Sequence, residues 1–494
     1  MSINWSPHQR NIFSEVNGTN NNVAISATAG SGKSTVLVEI SKLLPTNSNN
    51  IFIAFNKSIV EELRERLPKK FEVSTLHSLG FSILRKNYGN GISLNNGKSY
   101  NMAKKMILSD DTITNNKERN SRIFYVTKGY DYLRSTMTDI ANEDAIEEML
   151  LKYNLESAYG YHDLKRFDLL MKKYNLSRKR GSEFIIDFSD MVYLAGSLPK
   201  LKYPKYENVL VDECQDLNAS QHLMIGKIRA RKGGRLISVG DIFQTIYSFA
   251  GSDSDSFKKF ASAPNTTSLP LSVTYRCPIN VVLEAQKYSP EISAAPNAEY
   301  GYVGDGDIDM VEEGDAVLCR NNSPLFEAYL DLLYEGKKAY IVGKDIAEKF
   351  HTLIKPYRSS HVGALISGLK YQLEQIHDAL SAKGVKKPLA HPKYQAFLDI
   401  SRSLSLLAER SSSVKELEKS IDKIFSPQKD AIILSSIHKS KGLEYDRVFL
   451  LRPDLLPNKF AKSAEEIQQE NNLMFVAITR SKSQFFYIHK EEED

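Results

Sequence analysis

Short runs rich in Val, Ile and Leu recur along the chain, each too short for a helix. They alternate with longer segments whose apolar positions return every three to four residues. The first set of runs is 23–27, 51–55, 72–75, 209–212 and 236–239, and the second is 316–319, 339–342, 431–435, 447–451 and 484–488. Nearly continuous apolar runs between helical stretches are what strands need when helices cover both faces of a parallel sheet. The pattern therefore predicts an α/β protein with two doubly wound parallel-sheet cores.

Each set is broken by a long segment of helical periodicity. Structureless loops of that length are uncommon inside a compact domain, so both breaks are expected to be inserted, mainly helical subdomains. The first core is then 1–86 and 185–272 around an insertion at 87–184. The second is 273–345 and 428–494 around a reduced insertion at 346–427. No short repeat of fixed period is visible.

Composition removes several classes. Of 494 residues, 41% are hydrophobic, too many for general disorder. No apolar stretch approaches the roughly 18 residues that a membrane span needs, and residues 1–10 are polar with a proline, unlike a signal peptide. The three cysteines, Cys214, Cys277 and Cys319, are far apart with no Cys-x-x-Cys pair, which leaves no disulfide framework or structural zinc site and points to a reducing, cytoplasmic setting. The net charge of +5 is mild, but it is uneven. Lys165, Arg166, Lys172, Lys173, Arg178, Lys179 and Arg180 face only Asp163 and Asp168 within 163–180, a patch expected to flank a nucleic-acid backbone. The acidic tail, 491–494, is expected to be a solvated end.

The strand at 23–27 runs into Thr28-Ala29-Gly30-Ser31-Gly32-Lys33-Ser34-Thr35, and a helix is expected to follow. Glycines let backbone N–H groups wrap a phosphate, the lysine reaches the β/γ-phosphates, and the hydroxyl of Ser34 ligates Mg²⁺. Ala27 stands where the strict pattern has glycine, yet strand, Gly-rich turn, Gly-Lys-Ser and helix come in the required order. Downstream, the apolar 209–211 ends in Asp212-Glu213. Paired acids at a buried strand end fit a metal ligand, Asp212, and a base for water, Glu213.

The residues that follow resemble the UvrD/Rep group of superfamily-one DNA helicases. Asp212-Glu213-Cys214-Gln215-Asp216 is similar to that family's second motif, the run from Val239 to Tyr247 to its third, and Thr274-Tyr275-Arg276 to its fourth. Ser436 to Tyr445 resembles the fifth, and Glu470 to Lys482 the sixth. With Gln9 at the start, the motifs span nearly the whole chain in family order. In wording they are nearest to the F-box DNA helicase branch, with no room expected for an F-box.

The resemblance implies two RecA-like cores that clasp ATP and Mg²⁺. It implies that Gln9 contacts adenine, that residues Ala29, Gly30, Ser31, Gly32, Lys33, Ser34 and Thr35 cradle the phosphates, and that Tyr275 stacks on adenine while Glu444 lies near the ribose. Gln244 is implied to sense the γ-phosphate, with Arg276 and Arg480 brought to it from the second core. Phe55, Asn56, Lys57, Thr75, His77, Tyr247, Phe249 and His438 are implied to contact DNA. Three departures stand out: Phe55 adjoins Asn56, Leu76 precedes His77, and Tyr247-Ser248-Phe249-Ala250-Gly251 lacks the family's Trp and Arg.

The resulting expectation is an ATP-dependent 3′→5′ DNA helicase. It acts on single-stranded DNA and on junctions with duplex, in replication, repair or recombination, with partners from those processes, no membrane and a monomeric working form. Three other readings stay open: a translocase that strips proteins without unwinding, a nucleotide-gated binding or assembly module, and RNA as the track.

Overall fold

The computed structural model describes residues 4–45, 47–153, 155, 161–246, 253, 255–382 and 385–490. The chain divides into two compact units, Met1–Ala27 with Gly32–Ser272, and Thr28–Ser31 with Val273–Asp494.

The first unit contributes β1 (Asn22–Ala27), β2 (Asn50–Ile53), β3 (Phe71–Ser74), β4 (Ile92–Leu94), β5 (Phe184–Ile186), β6 (Asn208–Val211), β7 (Arg235–Gly240) and β8 (Thr266–Leu271). Six of them form one parallel sheet in the order β3-β2-β6-β7-β1-β8. Alternate residues of the inner strands feed two separate cores. Ile51, Ile53, Val209 and Val211 pack on one face, and Phe52, Leu210, Ile237 and Val239 on the other. The expected strands are present to within about two residues at their ends. The sequence pattern missed β8, an edge strand whose Thr266 to Leu271 run is polar and carries Pro270, and the small parallel pair β4–β5.

Helices Lys98–Leu108, Asn116–Thr136, Glu143–Lys152 and His162–Leu176 lie between β4 and β5 in sequence. They bury a core of their own, with Ala103, Ile107, Val126, Tyr130, Ile146, Leu164, Phe167 and Met171 at its centre. The basic patch is partly neutralised here: Lys165 pairs with Glu143 at 2.7 Å, Arg166 with Asp110 at 3.4 Å and Lys172 with Asp168 at 2.8 Å.

The second unit carries β9 (Val273–Thr274), β10 (Ser293–Ala294), β11 (Tyr302–Asp305), β12 (Ala316–Cys319), β13 (Ala339–Ile341), β14 (Ile432–Ser436), β15 (Tyr445–Leu451) and β16 (Ser481–Ile488). Its parallel sheet has the order β11-β16-β15-β12-β14-β13. β11, a four-residue edge strand, had no clear sequence signal. Among the described residues, helices Lys344–Ile354, Val362–Ala382, Pro392–Glu409 and Val414–Ile424 share the core of the sheet. Their Leu365, Leu404, Leu417 and Ile421 belong to one cluster with Val317, Ile432 and Phe449 of the sheet. Among the described residues no helix is long and apolar enough to cross a membrane.

Parallel strands point their carboxyl ends the same way, and ligand-binding groups gather there in open α/β sheets. Thr28, Ala54, Thr75, Asp212 and Asp241 all stand just beyond such ends. Two helices behind them, Leu76–Tyr88 and Phe188–Ser197, approach closely because Gly80 has no side chain; a Cβ there would overlap the Met191 carbonyl. Gly80→Ala is therefore expected to destabilise the first unit by about 1–3 kcal/mol, seen as a lower midpoint in chemical denaturation.

Candidate functional site

The turn after β1 is set by Gly30 and Gly32, with φ of 69° and 79°, a left-handed backbone that glycine adopts without penalty. Gly32 caps the helix Lys33–Leu43 without any side-chain bond, so its first-turn N–H groups are left to a ligand. Lys33, Ser34 and Thr35 form that turn, while Ala29 and Ser31 are buried, with Ser31 Oγ donating to the Thr28 carbonyl at 2.8 Å. Gln9 is buried and sits beside the loop: its Nε2 is 3.8 Å from where a Cβ on Gly32 would stand. Its Oε1 accepts from Ser6 N at 2.9 Å, closing a capping box that fixes the start of helix Pro7–Gly18. Trp5 packs edge-on against Phe13 at 5.0 Å.

Lys33 Nζ lies 3.3 Å from Glu213 Oε1. Burial works against the ammonium, but the carboxylates of Glu213, Asp241 and Asp212 outweigh it and hold Lys33 above its ordinary range. Asp212 is pushed up to about 7 by burial and by the charge of Glu213, and burial also raises Asp241. Glu213 has a φ of 50°, a strained setting of the kind that concentrates at functional sites. Its amide donates to Asp212 Oδ1 at 2.9 Å, and its Oε2 accepts from Gln215 Nε2 at 2.6 Å.

Gln215 extends the chain of contacts. Its Oε1 accepts from Asp241 N at 3.1 Å, and Asp241 Oδ2 accepts from Gln244 Nε2 at 2.6 Å. Gly240 permits this approach, since a Cβ there would stand 2.6 Å from Gln215 Oε1. The residues expected as base and sensor, Glu213 and Gln244, are thus joined through Gln215 and Asp241. Gln215 and Asp241 both lie within the motif runs, yet nothing in the sequence alone marks them for this role.

Ser34 Oγ donates to Asp212 Oδ2 at 3.3 Å. Among the described residues no three His, Cys, Asp or Glu side chains are arranged to hold a metal unaided. Mg²⁺ does not need such a cage, since it usually takes one or two protein oxygens and completes its shell with water and phosphate. The three carboxylates around one lysine leave excess negative charge, so Ser34 and Asp212 fit a divalent cation.

On the second unit Arg276 Nε donates to Glu444 Oε2 at 2.7 Å and its Nη1 to the Thr479 carbonyl at 3.3 Å. Arg480 is buried. Its Nε donates to the Val476 carbonyl at 2.9 Å and its Nη1 to the Leu443 carbonyl at 3.0 Å. The structure brings Arg276, Glu444 and Arg480 together around the 443–444 and 479–480 turns, next to a half-exposed Tyr275. His438 stands in the short helix Ile437–Ser440 after β14, and burial pushes it down to about 3.

Beyond β2, β3 and β6 lies a cavity of about 380 Å³ lined by Phe55, His77, Phe188, Asp212, Asp216 and Asn218, among others. Phe55 is half-exposed. Asn56 and Thr75 cap their helices, accepting from Ile59 N at 3.0 Å and Ser78 N at 3.2 Å. Lys57 opens the helix that Asn56 caps. His77 stacks on Phe188 with ring centroids 3.9 Å apart at 15°. Phe188 was missed because its local setting, Asp187 just before it and Asp190 two residues after, reads as a helix cap. Tyr247 and Phe249 lie outside the described residues.

The family model of the UvrD/REP helicase N-terminal domain matches residues 5–265, and that of the UvrD-like helicase C-terminal domain matches 335–492. ATP-dependent DNA helicase Rep of Buchnera aphidicola subsp. Schizaphis graminum is 25% identical over 390 positions, covering 71% of this chain and 56% of that protein. F-box DNA helicase protein 1 of Schizosaccharomyces pombe is 22% identical over 501 positions, 93% of this chain and 54% of the relative. The Rep protein of Buchnera aphidicola subsp. Acyrthosiphon pisum is 22% identical over 630 positions, 99% and 95%. The chain thus spans about half the length of the first two.

Burial alone pushes His77 down from 6.5 to about 4. With the folded value below the unfolded one, the stability that neutral His77 carries is complete above about pH 6.5 and is lost as pH falls toward 4. An NMR titration is expected to show the His77 ring neutral down to about pH 4; a midpoint at the ordinary value would contradict its burial against Phe188.

Proposed function

Because the chain belongs to the UvrD/Rep helicase family, we propose that it is an ATP-dependent DNA helicase that moves 3′→5′ on single-stranded DNA and opens duplex ahead of it, in replication, repair or recombination. The observation that carries this reading is the double position of Asp212. Its carboxylate accepts from Ser34 on the phosphate-loop side, and the same residue lines the cavity of Phe55, His77 and Phe188. A nucleotide site and an aromatic cleft that share a wall can be coupled without a long relay.

In this reading Lys33 binds the β/γ-phosphates and Gln9 flanks the loop at the adenine end. An arriving polyphosphate competes with Glu213 for Lys33, which frees the Glu213 carboxylate to take a proton from the attacking water while Gln215 keeps it aimed. Ser34 and Asp212 hold Mg²⁺, which when bound neutralises charge on the phosphate oxygens. Gln244 responds to the γ-phosphate and passes the change along Asp241 and Gln215. Arg276 and Arg480 supply the positive charge that a phosphoryl transition state requires, with Tyr275 for the base and Glu444 for the ribose.

Phe55, His77 and Phe188 offer faces on which bases stack without regard to sequence. The oxygens of Asn56 and Thr75 are committed to capping, so phosphates are held by the helix N-termini they cap and by Lys57. His438, Tyr247 and Phe249 complete the proposed strand contacts, and single-strand/duplex junctions are the natural substrate. The direction rests on the resemblance of Thr479-Arg480-Ser481-Lys482 and of the Asp212 to Asp216 run to 3′→5′ enzymes.

Matched 3′- and 5′-tailed duplexes test the reading. Wild type with ATP and Mg²⁺ is expected to unwind only the 3′-tailed substrate, and Lys33→Ala neither. ATPase without strand separation would leave a translocase; unwinding from the 5′ tail would reverse the polarity. Glu213→Gln is expected to lower ATPase kcat by roughly 10²–10⁴-fold, the contribution typical of a general base, while ATP binding by fluorescence titration is retained.

A further inference from the structure

The first turn of helix Phe188–Ser197 is built from charges that water does not reach. Asp187 is its N-cap and Asp190 stands three residues on, and the two close a capping box: Asp190 N donates to Asp187 Oδ1 at 2.9 Å, and Asp187 N to Asp190 Oδ2 at 3.2 Å. Asp187 is 5% exposed and Asp190 fully buried. Two carboxylates this close and this dry are costly unless cations meet them.

Both cations come from the helices between β4 and β5. Arg134, in the last turn of Asn116–Thr136, donates from Nη1 to Asp187 Oδ1 at 2.7 Å and to Asp190 Oδ1 at 2.8 Å. Lys98, the first residue of Lys98–Leu108, donates from Nζ to Asp190 Oδ2 at 2.6 Å. Ser99 Oγ adds a bond to Asp187 Oδ2 at 2.5 Å, and Asn175 Oδ1 accepts from Lys98 at 3.3 Å. Arg134 is 2% exposed and Lys98 4%. Removing one partner from such a buried set leaves a charge uncompensated, so the cluster holds its members in one arrangement.

Between the two carboxylates sits Phe188. Its ring is half-exposed and rests on His77 in the lining of the cavity. A ring with one face on His77 and no place in the core takes its position from the backbone of its turn. The cluster fixes that turn from behind, and the close contact at Gly80 holds the same helix against the one that bears His77.

We infer that Lys98 and Arg134 are positioning residues for the single-strand cleft: through Asp187 and Asp190 the helical segment between β4 and β5 holds the turn that presents Phe188 to bases. The inference rests on the proposed reading of the cavity as a strand-binding cleft. It gives that helical segment a part in strand binding that needs no direct contact between these residues and DNA, since a shift of its helices would reach the Phe188 ring through four buried charges.

The test is a double-mutant cycle read by anisotropy of a labelled oligothymidylate, with DNA-free ATPase and thermal midpoint measured on each variant. Phe188→Ala is expected to weaken binding about tenfold, the loss of one base stack. Lys98→Met is expected to weaken it comparably and to raise the DNA concentration for half-maximal ATPase by the same factor. DNA-free ATPase and kcat at saturating DNA should stay as in wild type, and Lys98→Arg should restore binding. Because both changes act on one ring, Lys98→Met in the Phe188→Ala background should cost nothing further. Wild-type affinity in Lys98→Met, or losses that multiply in the double variant, would overturn the inference. Should Lys98→Met melt below the assay temperature, Ser99→Ala removes one bond to Asp187 without unpairing a charge; a two- to threefold loss confined to the Phe188 background supports the inference, and no loss overturns it. If Phe188→Ala itself binds like wild type, the cleft reading fails; if Phe188→Ala weakens binding and Lys98→Met does not, only the positioning role fails.

Discussion

One ammonium facing three carboxylates governs the first unit. Lys33 opens the helix after β1, Asp212 and Glu213 follow β6, and Asp241 follows β7, and these three strands are neighbours in the sheet. Parallel pairing is what delivers the four groups to one place, because every carboxyl end lies on the same edge. The arrangement is unbalanced by itself: Lys33 is held charged, while Asp212 is driven toward neutrality by burial and by Glu213. A cation and a polyphosphate together redress both sides of that imbalance, which is why binding and the release of Glu213 are one event in the proposed mechanism.

Much of this was legible in the sequence, for a physical reason. Strands buried on both faces, such as β6 and β12, must be almost wholly apolar, and a phosphate loop must spell glycines, lysine and a hydroxyl in unbroken order. Each such signal is local. The edge strands β8 and β11 are half-solvated, and so carried no comparable pattern. Gln215 and Asp241 sat in recognisable runs, but their bridge between Glu213 and Gln244 exists only once β6 and β7 pair. Phe188 was invisible for the same reason. Its meaning comes from His77, far away in sequence, and an exposed phenylalanine after an aspartate announces nothing until both rings reach the same cavity.

The two helical segments are accommodated in opposite ways. The one between β4 and β5 has its own apolar core and meets the helix Phe188–Ser197 through buried ion pairs, which favour one geometry more than they add stability. The one between β13 and β14 continues the core of its sheet through Leu365, Leu404 and Ile421. The first is therefore free to be sensed through a few specific contacts, whereas displacement of the second would open apolar surface belonging to the sheet itself.

The borders of the two sheets carry a further consequence. β3 and β13 are four and three residues long, β11 contains Gly304, and β8 is interrupted by Pro270, which has no N–H to offer a neighbour. Parallel sheets assemble slowly from distant segments and leave their margins open meanwhile. Margins this short or broken give another chain little to pair with, so copies of the protein are kept from joining strand to strand at the stage when they are most prone to do so.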